Sequence, residues 1–381
     1  MSLNNHHVYV AVAKCPAYER DYVNTSVKNL IDFLGGIENY VLPEQKVAVK
    51  PNLIAKKSPE EAATTHPLVV EAVVRLVQEA GGNPFIVDSP GGPSNKGLLS
   101  AVYRATGMEA VAKRTGCRLN WDMGEIELNH PRGRVVKKLT LLKALAEADV
   151  IISLPKLKTH GMTKYTGAVK LMYGAIPGLK KAQYHFNMQK LEEFSQLLID
   201  INTLLPASLN IMDGIIGMEG DGPTAGSPRE LGFLLASQSP FALDHICAGL
   251  IGLDPAILVF LKLAAEQGLY PPASSIKICG DKLPESIVAF KIPGHKQIDF
   301  NLPGPLKKIV GRLQPKPVFN LQACRGCGEC QKCCPAQAIT MLNNKPLLTL
   351  SECIRCYCCQ ELCPHKAVHI QQHWLGKKLM R

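Results

Sequence analysis

The sequence has no apolar run near the ~20 residues needed to cross a bilayer. The longest candidate, Ala256 to Ala265, is broken by Lys262. The opening MSLNNHHVYVAVAKC lacks the basic n-region of a secretory signal, and its short apolar run reads as a first strand. Also missing are a G-x-x-x-x-G-K-[ST] phosphate loop, a convincing G-x-G-x-x-G turn after the first strand, and the 1-3-5 acidic spacing of an EF-hand. These absences remove the usual sequence grounds for ATP, NAD or FAD, and for EF-hand calcium. They also argue against a membrane or secreted protein. What is present is 381 residues, 46% apolar and 20% charged, enough for two or three packed domains rather than a disordered chain.

Cysteine is unevenly placed. Of 14 cysteines, ten lie between Cys324 and Cys363, while Cys15, Cys117, Cys247 and Cys279 are scattered singly. A disulfide scaffold would be a small chain with cysteines spread through it. Concentration at one end of a large chain points to metal in a reducing, cytoplasmic setting. The net charge of +11 follows the cysteines, with nine Lys/Arg against three Asp/Glu over 315–381. Two 4Fe–4S cores on thiolates, each formally about −2, would offset much of that excess. The basic bias is therefore weak ground for nucleic-acid binding.

The cysteine region is an internal repeat of 29 residues. CRGCGECQKCCPAQAITM (324–341) aligns on CIRCYCCQELCPHKAVHI (353–370), and each half reads C-x2-C-x2-C-x3-C-P. This spacing resembles the two-cluster bacterial ferredoxin family over about 50 residues. In it, three closely spaced cysteines hold one cluster and the fourth reaches the other. Cluster I would take Cys324, Cys327, Cys330 and Cys363; cluster II would take Cys353, Cys356, Cys359 and Cys334. Zinc is the competing reading, but a zinc site uses two cysteine pairs, not three even steps plus a cysteine before proline. Cys333 and Cys358 are left over, either as small packed residues or as labile thiols. Asn343-Asn344 is expected to turn Ile339–Met341 into Leu347–Leu350.

Before the repeat, strand and helix signals alternate. Strands are expected at Val8–Ala13, Lys46–Val49, Pro84–Val87, Asp149–Leu154, Leu209–Met212, Gly232–Ala236 and Ile276–Cys279. Helices are expected at Pro67–Ala80, Leu191–Leu205, Phe241–Ile251 and Ala256–Gln267. The expectation is an α/β domain over 1–280, with a largely parallel or mixed sheet flanked by helices. A proline-rich lead-in (281–318), a small α+β two-cluster ferredoxin-like domain (319–371) and a tail (372–381) would follow.

Two polar clusters follow expected strands. Lys156, Lys158, His160, Lys164 and Lys170 sit in a Gly-rich stretch, which reads as an anion-holding loop or as a solvated basic loop. Asp213, Glu219 and Asp221 sit in MDGIIGMEGDGPTAGSP, which reads as a site for a divalent cation or proton transfer, or as an Asx turn with exposed acids. For Lys50, Asn52 and Asp88, turn or cap roles are expected. His66 is expected to cap the helix at Pro67, and Asp244 and His245 to pair or pack.

VKPNL, HPLVVEAVVRLVQEAGG, VDSPGG, the K-L-K-T-H…Y-T-G-A-V-K stretch and DGIIGMEGDGPTAGSP together resemble the family called domain of unknown function 362, over about 8–280. That family is often fused to ferredoxin modules. The resemblance implies that Lys156, Lys158, His160, Lys170, Asp213, Glu219 and Asp221 are motif positions of one site. The functional expectation is an iron–sulfur oxidoreductase, or a subunit of one, acting on an anionic small molecule with a redox partner protein. The competitors are an electron-transfer or docking protein without its own substrate, and a non-redox enzyme with structural or sensory clusters. If the two loops share a cleft, Lys156 or His160 should lie within ~10 Å of Asp213 or Glu219, and the cleft should face the clusters.

Overall fold

The computed structural model describes residues 7–284, 288–293 and 314–371. Most of the expected lead-in, 281–318, and all of the tail, 372–381, lie outside the described residues. Twelve strands belong to the large unit. They are β1 (Val8–Lys14), β2 (Lys46–Pro51), β3 (Asn83–Ile86), β4 (Arg118–Leu119), β5 (Glu125–Asn129), β6 (Lys138–Leu142), β7 (Val150–Leu154), β8 (Lys156–His160), β9 (Lys164–Thr166), β10 (Leu209–Glu219), β11 (Ser227–Ser237) and β12 (Ile276–Gly280).

Ten of these strands form one sheet in the order β12-β1-β11-β10-β7-β2-β3-β4, with β8 beside β10 and β9 beside β8. It is a mixed sheet. β2, β3, β4 and β7 run parallel, as do β7 and β10. β11 is antiparallel to both of its neighbours. The strands alternate between two cores. Val10, Val12, Ala48, Ile151 and Met212 pack on one face. Ala11, Ala13, Val47, Val49, Ile152 and Ile211 pack on the other. This period-2 division is why the strands read as nearly continuous apolar runs.

The helix Pro67–Glu79 forms where its start signals predict. His66 accepts from the Leu68 N–H at 3.3 Å and Pro67 occupies the first turn. Val70, Val73, Val74 and Val77 are fully buried, each stabilising the fold by about 1.5 kcal/mol or more before chain entropy is charged.

Two expected boundaries need correction. The strand expected to stop at Met212 runs on to Glu219. The stretch read as a Gly-rich loop begins with a strand, β8, and turns back through β9 into the short helix Ala168–Leu171. The alternation K-L-K-T-H explains β8. Leu157 and Thr159 share one face, and Leu157 enters a core. Lys156, Lys158 and His160 share the opposite face.

The small unit repeats its backbone as well as its sequence. Gly326 and Gly328 have φ of 71° and 75°, and their counterparts Arg355 and Tyr357 have 57° and 62°. Gln337 and Lys366, again 29 apart, have 52° and 49°. The left-handed region suits glycine, so Arg355 and Tyr357 hold the same loop shape at a steric cost of roughly 1 kcal/mol each. Short helices at Glu329–Lys332 and Cys358–Glu361 occupy equivalent positions. Asn343 and Asn344, with φ of 49° and 59°, close a two-residue hairpin between Ile339–Leu342 and Lys345–Leu348. Lys316–Phe319 pairs antiparallel with Val368–Gln371, joining the two ends of the unit.

Candidate functional site

Because β2, β3 and β7 are parallel, their C-terminal ends share one edge of the sheet. Lys50 and Asn52 close β2, Asp88 and Ser89 follow β3, and β8 follows β7. An open α/β sheet gathers polar side chains at such an edge. The segment Cys358–Leu362 of the small unit docks onto it. Thr224 Oγ1 donates to the Glu361 carbonyl at 2.8 Å. His160 Nε2 lies 3.0 Å from Glu361 Oε1, and Lys366 Nζ lies 3.3 Å from Glu61.

Between the two units is a cavity of about 110 Å3. Lys158, Lys170, Lys181 and His185 line it from the large unit. Cys333, Cys358, Glu361 and Leu362 line it from the small unit. Lys158 is fully buried and its ammonium donates to the Ala63 carbonyl at 2.7 Å. No carboxylate among the described residues pairs with it. Burial, reinforced by neighbouring Lys170, brings it down to about 7. Burial likewise lowers Lys170, whose Nζ stands 6.0 Å from the Tyr173 ring centre. Lys181 also falls to about 7 through burial, while donating to the Ser89 and Ile176 carbonyls and to Ser89 Oγ.

Both cavity-side histidines are neutral at pH 7. Burial lowers His160 and His185 to about 4. His160 Nδ1 accepts from the Met162 and Thr163 N–H groups, so its proton sits on Nε2, facing Glu361. His185 stacks on Phe194, and its Nδ1 has no hydrogen-bond partner among the described residues. Burial would raise the Glu361 carboxyl, but His160 and Lys170 facing it hold it at about 2.

The residues expected to form one site separate into three groups. Lys158 and Lys170 line the cavity, and His160 reaches it through Glu361. Lys156 and Asp213 instead make a closed knot away from the cavity wall. Lys156 Nζ is 2.9 Å from Asp213 Oδ2 and 2.6 Å from the Tyr18 hydroxyl. Asp213 also accepts from Tyr18 and from the His66 N–H. The ~10 Å criterion is met at 2.9 Å, yet by a satisfied buried pair rather than by a cleft. Glu219 accepts from the Lys291 N–H at 3.0 Å, and Asp221 is exposed. The three acids do not converge, and the cation expected at the acidic loop finds no ligand set there. Among the described residues no three His, Cys, Asp or Glu side chains converge as a single ion would need.

Lys50 and Asp88, expected to serve turns, form a buried pair at 2.7 Å, with Asp88 on the cavity wall. Gly174 makes room for that pair, since a Cβ there would stand 2.5 Å from Lys50 Nζ. Asp244 caps the Ala168–Leu171 helix by accepting from the Ala168 and Val169 N–H groups. Lys181, His185 and Glu361 were not singled out from the sequence. The one available signal was the i, i+4 placement of Lys181 and His185 on the helix Lys180–Asn187.

In the small unit, the cysteines acting electrostatically on Cys330 are Cys327, Cys363 and Cys324. Those acting on Cys359 are Cys356, Cys333, Cys353 and Cys334. Ala338 and Ala367 donate their N–H groups to the sulfurs of Cys334 and Cys363, each at 3.3 Å. Soft thiolates steadied by backbone N–H groups suit iron–sulfur chemistry. Cys333 and Cys358 are packed, at 4% and 7% exposure.

Comparison with known proteins agrees with this division. The model of a 4Fe-4S dicluster domain matches residues 316–364. The thylakoid-associated protein sll1697 of Synechocystis is 35% identical over 306 residues, covering 78% of this chain and 92% of its own. No helix among the described residues is long and apolar enough to cross a membrane. The lactate racemase apoprotein of Thermoanaerobacterium thermosaccharolyticum aligns at 13% identity and a TM-score of 0.41, over 66% of this chain and 60% of its own. Residues 47–249 match the model described as domain of unknown function, DUF362, and the chain belongs to that family, with an iron–sulfur dicluster domain at its C-terminal side.

Proposed function

We propose that the protein is an iron–sulfur oxidoreductase in which two four-iron clusters exchange electrons with an anionic small molecule held in the cavity between the units. One observation carries this reading. The cavity is walled by lysines on one side and, on the other, by Cys333 and Cys358, the chain neighbours of Cys334 and Cys359. A molecule in that cavity would lie beside cluster II.

Cluster I is assigned to Cys324, Cys327, Cys330 and Cys363, and cluster II to Cys353, Cys356, Cys359 and Cys334. The grouping of thiols around Cys330 supports the first set; around Cys359 both Cys333 and Cys334 are near, and the repeat spacing favours Cys334. The clusters, when bound, supply one electron each. The chain's own groups do the rest. Lys158 and Lys170 attract and orient the anion. Leu362 and Leu171 narrow its access to water. The neutral His185 presents an unpartnered ring nitrogen that can take or give a proton. Cys327 is exposed, so a redox partner protein would meet the molecule at cluster I.

Protein purified without oxygen should contain about eight iron and eight sulfide per chain. Stoichiometric zinc without sulfide ends the proposal. Reduced clusters should then be reoxidised by members of a panel of small carboxylates and oxoanions, and far more slowly in Lys158→Gln of equal iron content. Reoxidation by protein carriers alone would leave an electron-transfer protein without its own substrate.

A further inference from the structure

We propose that the cavity between the units binds a compact oxygen-bearing dianion, an oxalate-sized dicarboxylate or a tetrahedral oxoanion, gripped by Lys158 and Lys170. This deepens the reading of the cavity as the substrate site and rests on it. Three observations on the cavity converge.

The first is size. A cavity of ~150 Å3 accepts a benzene ring, so about 110 Å3 holds roughly four to six non-hydrogen atoms by the same yardstick. Phosphate and oxalate fit that range. Leu171, Leu179 and Tyr173 add apolar surface to the cavity wall.

The second is charge. Lys158, Lys170 and Lys181 face the cavity with Asp88 and Glu361. Asp88 is neutralised from behind by Lys50. One carboxylate, Glu361, is left against three lysines, of which Lys158 and Lys181 are lowered to about 7. Buried charge without a counter-charge is strongly unfavourable. The large-unit wall is therefore positive, and it is the side that would receive the charge of an anion spread over several oxygens.

The third is hydrogen bonding. Lys181 spends its donors on three protein oxygens. Lys158 spends one on Ala63 and makes a long contact, 3.5 Å, to Asn52. Among the described residues neither Lys170 Nζ nor His185 Nδ1 has a hydrogen-bond partner. The donors left over belong to the two lysines that carry the proposal, and an oxoanion offers several acceptors at once.

Binding is also coupled to protons. Lys158 faces Lys170, Glu361, Lys156 and Asp88, and burial sets it at about 7. At pH 8 much of it is neutral. A dianion placed against it favours the ammonium, so oxalate takes up a proton at pH 8 and scarcely any at pH 6, whereas phosphate, mostly the monoanion at pH 6, gives up a proton there on binding as the dianion.

The test is anaerobic titration calorimetry of the cluster-loaded, full-length protein. Sodium oxalate, inorganic phosphate and, as a monoanion control, acetate are each titrated at pH 6 and pH 8 in two buffers of different ionisation enthalpy. At least one dianion should bind once per chain, about tenfold or more tighter than acetate, with uptake approaching one proton at pH 8. Oxalate alone would identify a dicarboxylate site, and phosphate alone a tetrahedral-oxoanion site. Lys158→Met should weaken binding at least tenfold and reduce the uptake to what Lys181, also at about 7, contributes. Lys170→Gln should weaken binding and retain the uptake, with iron content reporting the integrity of both variants. Absence of binding by both dianions, affinity equal to acetate, or binding unchanged in Lys158→Met overturns the inference. The two readings fail separately. Dianion binding with no electron exchange would remove the oxidoreductase proposal and keep this site. Cluster reoxidation by larger anions, with neither dianion bound, would do the reverse.

Discussion

A wholly buried lysine in no ion pair is costly, and among the described residues Lys158 has no carboxylate within ion-pair distance. Its ammonium is disfavoured by burial down to about 7, against 10.5 when free. Between those values the unfolded chain holds a proton that the folded chain lacks, so stability rises with pH across that window and is flat below it. Lys158→Met removes the effect. The urea-unfolding free energy of wild type minus that of Lys158→Met should therefore climb by a few kcal/mol from pH 7 to pH 10. A flat difference would mean that water or an ion reaches Nζ. Glu361 behaves oppositely. Its carboxyl, held at about 2, remains charged throughout this range. Glu361→Gln should leave iron content unchanged while loosening the docking of the small unit, seen as faster amide exchange across 356–362.

At the scale of elements, the proposed division of the cysteines follows the 29-residue repeat. Cys334→Ser should lose cluster II although the other three ligands sit in the opposite half, so about half the iron should disappear. Cys333→Ser should keep all of it. Loss of iron from Cys333→Ser would show that the fourth ligand is misassigned. Elements of this kind were legible because the determinants are local. The repeat spacing, the Asn343-Asn344 turn and the Pro67 helix each carry their own signal within a few residues. β8 was not legible as a strand, because lysines at alternate positions look like a solvated loop until their buried partners are known. β10 was cut short because Gly214 and Gly217 resemble turn residues, although the sheet accepts them. Lys181, His185 and Glu361 depend on one unit packing against another, which no local spacing encodes.

At the scale of the molecule, the two units have unequal means of staying folded. The large unit has two extensive cores on the faces of its sheet. The core of the small unit centres on five buried side chains, three of them cysteines. Units this small usually need metal. Removing iron with a chelator should expose 316–371 to protease while leaving 7–280 resistant and its thermal transition in place. Concerted loss of both units would instead indicate that docking supports the large one. The anion site should vanish with the iron, because one wall of its cavity belongs to the small unit.

The pairing of Lys316–Phe319 with Val368–Gln371 has a bearing on timing. These strands are about 50 residues apart in the chain, and closing so long a loop costs more entropy than the two-residue Asn343-Asn344 hairpin. Crossed ligation would shorten that path, since Cys330–Cys363 and Cys334–Cys353 each link the halves from within. On that ligation we expect assembly to run from the hairpin, through the cysteine loops around iron and sulfide, to the terminal strands. A chain stalled before metal delivery would keep those strands apart, leaving two unpaired β edges as the species most open to aggregation.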